Sequence, residues 1–312
     1  MKAGLFVRTA FLLFARDAHA QACGAHHVVG KSPTRPPSFT RLCLLAFVLS
    51  PLFTRLCSHV FVHICVRKEL HYHTHAHEER FKSYEEKIIH VVVDLPYVGE
   101  AAAGNEWVNE AFQRNAIKDA VDSMQDILGT HVPVQCAHNV PHRIIIADVD
   151  ELPDPVMLSA IKTGTQAVGA HVDISMDMFY YDFRHLLTSL TWRAPKLLTI
   201  SRYLTLTREG KTATMIRNEL SSTAVTGINT GGWHLSYFGG PAAVLTKVLN
   251  FAHQEFRHIE EDLLLARMRA GTDLFDREGV TFDDVTGREE GYVFPPGVEE
   301  LNLPNLFGHA HA

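Results

Sequence analysis

Acid is almost absent from the first fifth of this 312-residue chain: residues 1–65 hold seven Lys and Arg against one carboxylate, Asp17. Cysteine is scarce in the remainder, where Cys136 stands alone, while Cys23, Cys43, Cys57 and Cys65 fall in the first part. Their irregular spacing fits neither a zinc motif nor a disulfide framework. A basic surplus is missing too. The formal net charge is −6, whereas a protein that neutralises nucleic-acid phosphates carries an excess of Lys and Arg, so no nucleic-acid partner is expected. No repeat of solenoid length occurs, which excludes an array architecture. With 46% apolar residues, the chain is too apolar to be disordered throughout.

Long hydrophobic runs are nearly absent as well. The one example, LCLLAFVLSPLFTRLCSHVFVHICV at 42–66, has the length of a membrane span. Arg55 near its middle opposes insertion by about 2.5–3.5 kcal/mol, and Pro51, His59 and His63 weaken it further. A second targeting signal lies at the start, where Lys2 precedes a short apolar stretch and Ala18-His19-Ala20 has the form of a signal-peptidase site. The phrase FTRLC occurs at 39–43 and again at 53–57, as low-complexity sequence does. Residues 1–65 are therefore expected to be a poorly ordered leader with a single possible anchor at 42–66. A linker at 66–77 follows, in which His71, His73, His75 and His77 alternate and could share one strand face as adventitious metal ligands.

From residue 78 onward acids predominate and the pattern changes to alternating strand and helix signals. EEKIIHVVVDLP (85–96) reads as a buried strand, NEWVNEAFQRNAIKDAVDSMQDILG (105–129) as a helix, and RIIIADVDELPDP (143–155) as a second strand with a helix from Asp154. In the helix, Trp107, Ala111, Ile117, Val121, Met124 and Leu128 recur at helical spacing. Strand, helix, strand is the βαβ signature of an α/β fold. Further strands are expected at 176–183, 196–201 and 211–218, and helices at 241–256 and 258–271. One domain spanning 78–312 is the economical division, with a loose tail from about residue 283.

The sharpest chemical feature is Asp148-Val149-Asp150-Glu151 at the end of RIIIA. Ligands of open α/β sheets bind at the carboxyl ends of strands, and hard oxygen ligands there suit Mg²⁺ or Mn²⁺ bridging a nucleotide diphosphate. With 16 Asp in the chain, chance alone gives roughly 0.8 Asp-x-Asp matches, so a solvated acidic turn that merely ends a strand stays open. For Arg114 and Asn115 the bland reading is a polar helix face, and for GGWHLSYFGG (231–240) it is a tight core turn.

The blocks ERFKSYEEKIIHVVVD, NEWVNEAFQRNAI, IIIADVDELPDP, INTGGWHLSYFGGP, NFAHQEF and GTDLFDREG, in this order, resemble glycosyltransferase family 17 over about residues 78–282. The resemblance implies a GT-A-like, Rossmann-type nucleotide-sugar-binding sheet with flanking helices. It also implies UDP-GlcNAc as donor, a divalent metal, an N-glycan of a glycoprotein as acceptor, inversion at the anomeric carbon, and a Golgi or other secretory-pathway membrane location. Carried onto this sequence, Asp150, Asp148 and His253 become metal ligands, with His234 an alternative to His253. Arg114, Asn115, Asp148 and Trp233 become donor contacts, and Glu255 the general base. Members of the family usually begin with two apolar strands before the block matching EERFKSYEEK. The leader stands there instead, so a sheet lacking its first strands is expected, and a non-catalytic relative binding glycan or a protein partner is the alternative to a transferase.

Overall fold

The computed structural model describes residues 10–16, 58–66, 88–97, 103–119, 121–122, 143–226, 230–250, 252–256, 258–285, 294–296 and 298. In chain order the strands are β1 (Ala10–Arg16), β2 (Ser58–Val66), β3 (Ile88–Val93), β4 (Arg143–Asp148), β5 (Glu151–Pro153), β6 (His171–Ile174), β7 (Asp177–Tyr180), β8 (His185–Leu187), β9 (Lys196–Thr199), β10 (Ala224–Val225), β11 (Gly232–Ser236) and β12 (Phe282–Asp284). The helices are α1 (Glu106–Asn115), α2 (Pro155–Lys162), α3 (Ile200–Arg208), α4 (Ala213–Asn218), α5 (Gly240–Asn250) and α6 (Glu261–Ala270). The molecule is mixed α/β, as expected, but it contains two sheets.

The larger sheet has the order β10-β6-β9-β4-β1-β2-β3. Pairing directions make β2, β3, β4, β6 and β10 run one way and β1 and β9 the other. The expected βαβ unit is therefore present as β3-α1-β4 with its two strands parallel, but β2 and β1 stand between them. Both intervening strands come from the segment read as a leader. Val60, Val62, Ile64 and Val66 give β2 a high strand propensity, and it pairs with β3 residue for residue from Phe61 to Val66. The apolar run 42–66 thus ends as a strand; residues 42–57 and the histidine run 71–77 lie outside the described residues. Among the described residues no helix is long and apolar enough to cross a membrane.

Strand β4 is central because RIIIA is apolar on both faces. Ile144 and Ile146 pack with Ile117, Leu198, Tyr203 and Ile216 on the side of α1, α3 and α4. Ile145 and Ala147 pack with Met157, Ile161 and Val172 on the side of α2. Helix α2 begins where expected: Asp154 caps it by accepting from the Val156 amide at 2.9 Å, and Pro155 opens the first turn.

The smaller sheet, β12-β8-β7-β11-β5, packs against α5 and α6 through Met178, Tyr180, Val244, Val248 and Leu264. Five connections pass between the sheets, three from the larger to the smaller (β4 to β5, β6 to β7, and β10 to β11) and two back. The β6–β7 and β10–β11 crossings lie side by side, with the start of α2 against them. The Gly231 amide donates to the Ser175 carbonyl at 2.8 Å, the Ser175 amide to that of Val225 at 3.0 Å, and the Asp154 amide to that of Gly231 at 2.9 Å.

Two expectations change. Residues 211–218 were expected as a strand, yet 213–218 form α4, because Thr212 accepts from the Met215 amide as an N-cap and the helix then buries Ala213, Ile216 and Arg217 on one side. Of the tail expected to be loose from about residue 283, the described part is packed: β12 pairs with β8, and Val285, Phe294 and Val298 join Phe179, Phe183 and Trp233 in an apolar cluster, while 286–293 and 299–312 lie outside the described residues. In α1, Ile117 and Val121 beyond the helix end are buried as expected, but Trp107 is half exposed while Asn109, Gln113 and Arg114 are buried. Met124 and Leu128 lie outside the described residues.

The crossing point leaves no room for a side chain at residue 231, where a Cβ would lie 2.4 Å from the Ser175 carbonyl oxygen and 2.9 Å from that of Val225. Gly231→Ala should destabilise the protein by about 3 kcal/mol. Gly210→Ala, with φ +85 and nothing within 4 Å, should cost only the left-handed backbone penalty of about 1–2 kcal/mol. Denaturant midpoints of the two variants test the difference.

Candidate active site

The chain leaves the larger sheet at Asp148 and enters the smaller one at Glu151, so the acidic turn is itself one of the three crossings in that direction. Asp148 and Glu151 are 2% and 3% exposed, and buried carboxylates need partners. Helices α1 and α4 supply them. Arg217 donates from Nη2 to Asp148 Oδ2 at 2.9 Å and to Glu151 Oε1 at 2.5 Å, and from Nη1 to Glu151 Oε2 at 2.9 Å. Arg114 donates to Asp148 Oδ1 at 3.2 Å and to Glu110, one helical turn back, at 2.9 Å. Glu151 closes the turn by accepting from the Asp148 amide at 2.6 Å, and the Trp192 indole N–H donates to its other oxygen at 2.6 Å. Burial opposes the charge on Arg217, but Asp148 and Glu151 more than offset it and hold its pKa above the ordinary arginine value.

Asp150 points the other way. Its side chain is 19% exposed, its Oδ2 accepts from Lys247 Nζ at 3.0 Å, and His234 Nε2 lies 3.5 Å from the same oxygen. The Trp192 ring lies 4.5 Å from that of His234. The backbone fixes the pair, because β11 runs antiparallel to β5 with His234 opposite Glu151, and the Leu235 amide donates to the Asp150 carbonyl at 2.8 Å.

The structure thus brings together Asp148, Asp150 and Arg114 of the residues expected from sequence. Asn115 is next to them in a different role: its Oδ1 accepts from the Thr214 amide at 3.0 Å and ties the start of α4 to the end of α1. Trp233 is 1% exposed and faces Phe179, Phe183 and Leu235, so its ring packs in the core instead of facing the acidic turn. Its neighbour His234 takes the opposite side of the strand and meets Asp150.

His253 and Glu255 fall within the helix expected at 241–256. Instead α5 ends at Asn250, and His253 precedes a one-turn helix, Gln254–Phe256, that contains Glu255, with His253 Nδ1 2.7 Å from Glu255 Oε1. Burial is the largest single influence on Glu255 and disfavours its charge, but the hydrogen bond to His253, a backbone hydrogen bond and the charge of His253 together outweigh it and hold the carboxyl below its ordinary pKa. The His253 ring meets the edge of Trp107 at 4.6 Å. Arg217, Lys247 and Trp192 carry no sequence motif; Arg217 in particular was hidden by reading 211–218 as a strand.

Among the described residues no three His, Cys, Asp and Glu side chains are gathered to hold a metal ion, so the expected set of Asp148, Asp150 and His253 is not assembled. Asp148 is committed to two guanidinium groups. Asp150, partly exposed at the end of a strand with an imidazole nitrogen beside it, does fit a hard divalent cation. Such ions need only one or two protein ligands and take the rest from water and phosphate.

The family model for glycosyltransferase family 17 matches residues 57–290, from immediately before β2 to just beyond β12. No curated protein and no solved structure matches the chain.

Replacing Arg217 by Met leaves two buried carboxylates facing one guanidinium. We expect a loss of about 3–5 kcal/mol at neutral pH. The loss should shrink toward pH 5, because a buried carboxyl deprived of its cation has a raised pKa and is tolerated when protonated. Unfolding curves at the two pH values measure both effects.

Proposed function

The chain belongs to glycosyltransferase family 17, and from that premise we propose that it transfers N-acetylglucosamine from UDP-GlcNAc to a mannose of a glycoprotein N-glycan, with inversion and a divalent cation. The observation that carries this reading is the acidic turn. It ends the central strand of an α/β sheet, where nucleotide ligands bind in such folds, and it presents one partly exposed carboxylate, Asp150, beside two buried ones that are already neutralised.

Asp150 and His234 are the residues that would hold Mn²⁺ or Mg²⁺. When bound, the ion supplies positive charge against the diphosphate as it departs. Arg114 and Arg217 hold the side chains of Asp148 and Glu151 in place, which sets the backbone of Val149 and Asp150 in one conformation. The expected donor contacts divide accordingly: Arg114 and Asp148 line the turn, whereas Asn115 and Trp233 support it from the helix and the core. Glu255, ionised at neutral pH and more than half exposed, is suited to accept the acceptor hydroxyl proton as the new C1–O bond forms and the bond from C1 to the phosphate oxygen breaks. Trp107 beside it offers an accessible aromatic face for a sugar ring. An N-glycan acceptor implies a lumenal location in the secretory pathway, such as the Golgi, and a membrane anchor belongs to the same reading.

The test incubates the purified chain with UDP-GlcNAc, UDP-galactose or UDP-glucose, Mn²⁺ and an N-glycan core acceptor, and follows UDP release and product mass. UDP-GlcNAc should be the sugar transferred. Asp150→Ala should reduce kcat/KM by at least about a hundredfold, and Glu255→Gln should lower kcat by about 10²–10⁴ with little change in donor affinity. Failure to bind or turn over any donor removes the reading. Donor binding without turnover favours the non-catalytic relative.

A further inference from the structure

The cation nearest to Asp150 belongs to the chain itself. Lys247 sits in the last turn of α5, and its side chain is only 12% exposed, with Nζ 3.0 Å from Asp150 Oδ2. Val244 and Val248 on the same helix are 0% and 1% exposed, so the helix is fixed by the core and the flexible part is the lysine stem. In the same position the ammonium lies 4.7 Å from the centre of the Tyr237 ring, close enough for attraction to the ring face. Tyr237 has a left-handed conformation, φ 60, uncommon for a bulky residue, at the end of β11 just before Gly239 and Gly240.

An ammonium and a divalent ion cannot both occupy Asp150 Oδ2. Each requires contact with the oxygen, and at that separation they repel one another in a partly desolvated site. Lys247 therefore competes with whatever cation the carboxylate would take from solution. The neighbouring groups do not relieve the competition: Asp148 and Glu151 are satisfied by Arg114 and Arg217, and His234 offers its nitrogen to the same oxygen.

We propose that Lys247 is a tethered counter-ion: it occupies Asp150 in the donor-free protein and is displaced from that oxygen when a divalent cation enters, so that its charge sets the cation concentration at which the site loads. This rests on the reading that Asp150 takes a divalent cation for a nucleotide-sugar donor. Its consequence is a site stable without metal, because no buried carboxylate is left alone, and one that loads only above a threshold.

The experiment titrates the full chain with Mn²⁺ in the absence of nucleotide and measures unbound Mn²⁺ by its electron paramagnetic resonance signal. Lys247→Met keeps most of the stem and removes the charge, and it should bind Mn²⁺ about tenfold more tightly than the wild type, or better. Lys247→Arg keeps the charge and should stay within about threefold of the wild type. Asp150→Asn should lose this site and show what the histidine run at 71–77 binds on its own. Thermal unfolding with and without Mn²⁺ gives a second readout, in which the melting temperature of Lys247→Met rises further than that of the wild type; Lys247→Gln replaces the Met variant if the latter does not fold. Equal or weaker Mn²⁺ binding by the uncharged variant overturns the tethered counter-ion and leaves the metal reading intact. Absence of an Asp150-dependent site in every variant overturns both.

Discussion

The guanidinium of Arg217 between Asp148 and Glu151 is the interaction on which the rest of this structure depends. Three charged side chains are buried together at the place where the chain changes sheets, and removing any one would leave its partners uncompensated. That requirement reaches outward. Arg217 must come from a helix aimed at the turn, so α4 is capped by Thr212 and pinned to α1 by Asn115. Arg114 must arrive from the other helix, so α1 buries a polar stripe and leaves Trp107, Val108 and Phe112 partly exposed. An unusual helix is thus explained by the charge it has to deliver.

The same arrangement separates two tasks within four consecutive residues. Asp148 and Glu151 serve structure, since their oxygens are taken up by Arg114, Arg217, Trp192 and the turn's own backbone. Asp150 is turned toward α5, where Lys247 meets it. Strand alternation does the sorting on the other side of the junction as well, sending Trp233 into the core and His234 to the carboxylate. A charge-balanced, rigid base thus lies beneath one partly exposed carboxylate.

How much of this was legible in the sequence depends on whether the cause was local. RIIIA followed by acids announces a buried strand ending in charge, and Asp154-Pro155 announces the next helix, so the acidic turn was found correctly. The α4 helix was not, because KTATMIRN carries enough Thr, Met and Ile to pass for a strand, and only the capping hydroxyl of Thr212 and the distant carboxylates decide otherwise. Arg217 was invisible for the same reason: its partners lie 66 and 69 residues away. Trp233 stood out as a donor contact, with His234 only an alternative metal ligand, because aromatic character is conspicuous in a sequence, whereas the side of a strand is settled by pairing. β1 and β2 were concealed by a composition unlike that of the body, although their strand propensity was present.

The repeated passage of the chain between the two sheets has a consequence for how the protein can be inherited and handled. A single cut anywhere between β5 and β10 gives two fragments that each contain parts of both sheets and complete neither. The sheets are layers of one cooperative unit and cannot be exchanged as modules. Recombination between relatives that replaced one sheet alone would have to join the chain at five places, at every passage from one sheet to the other.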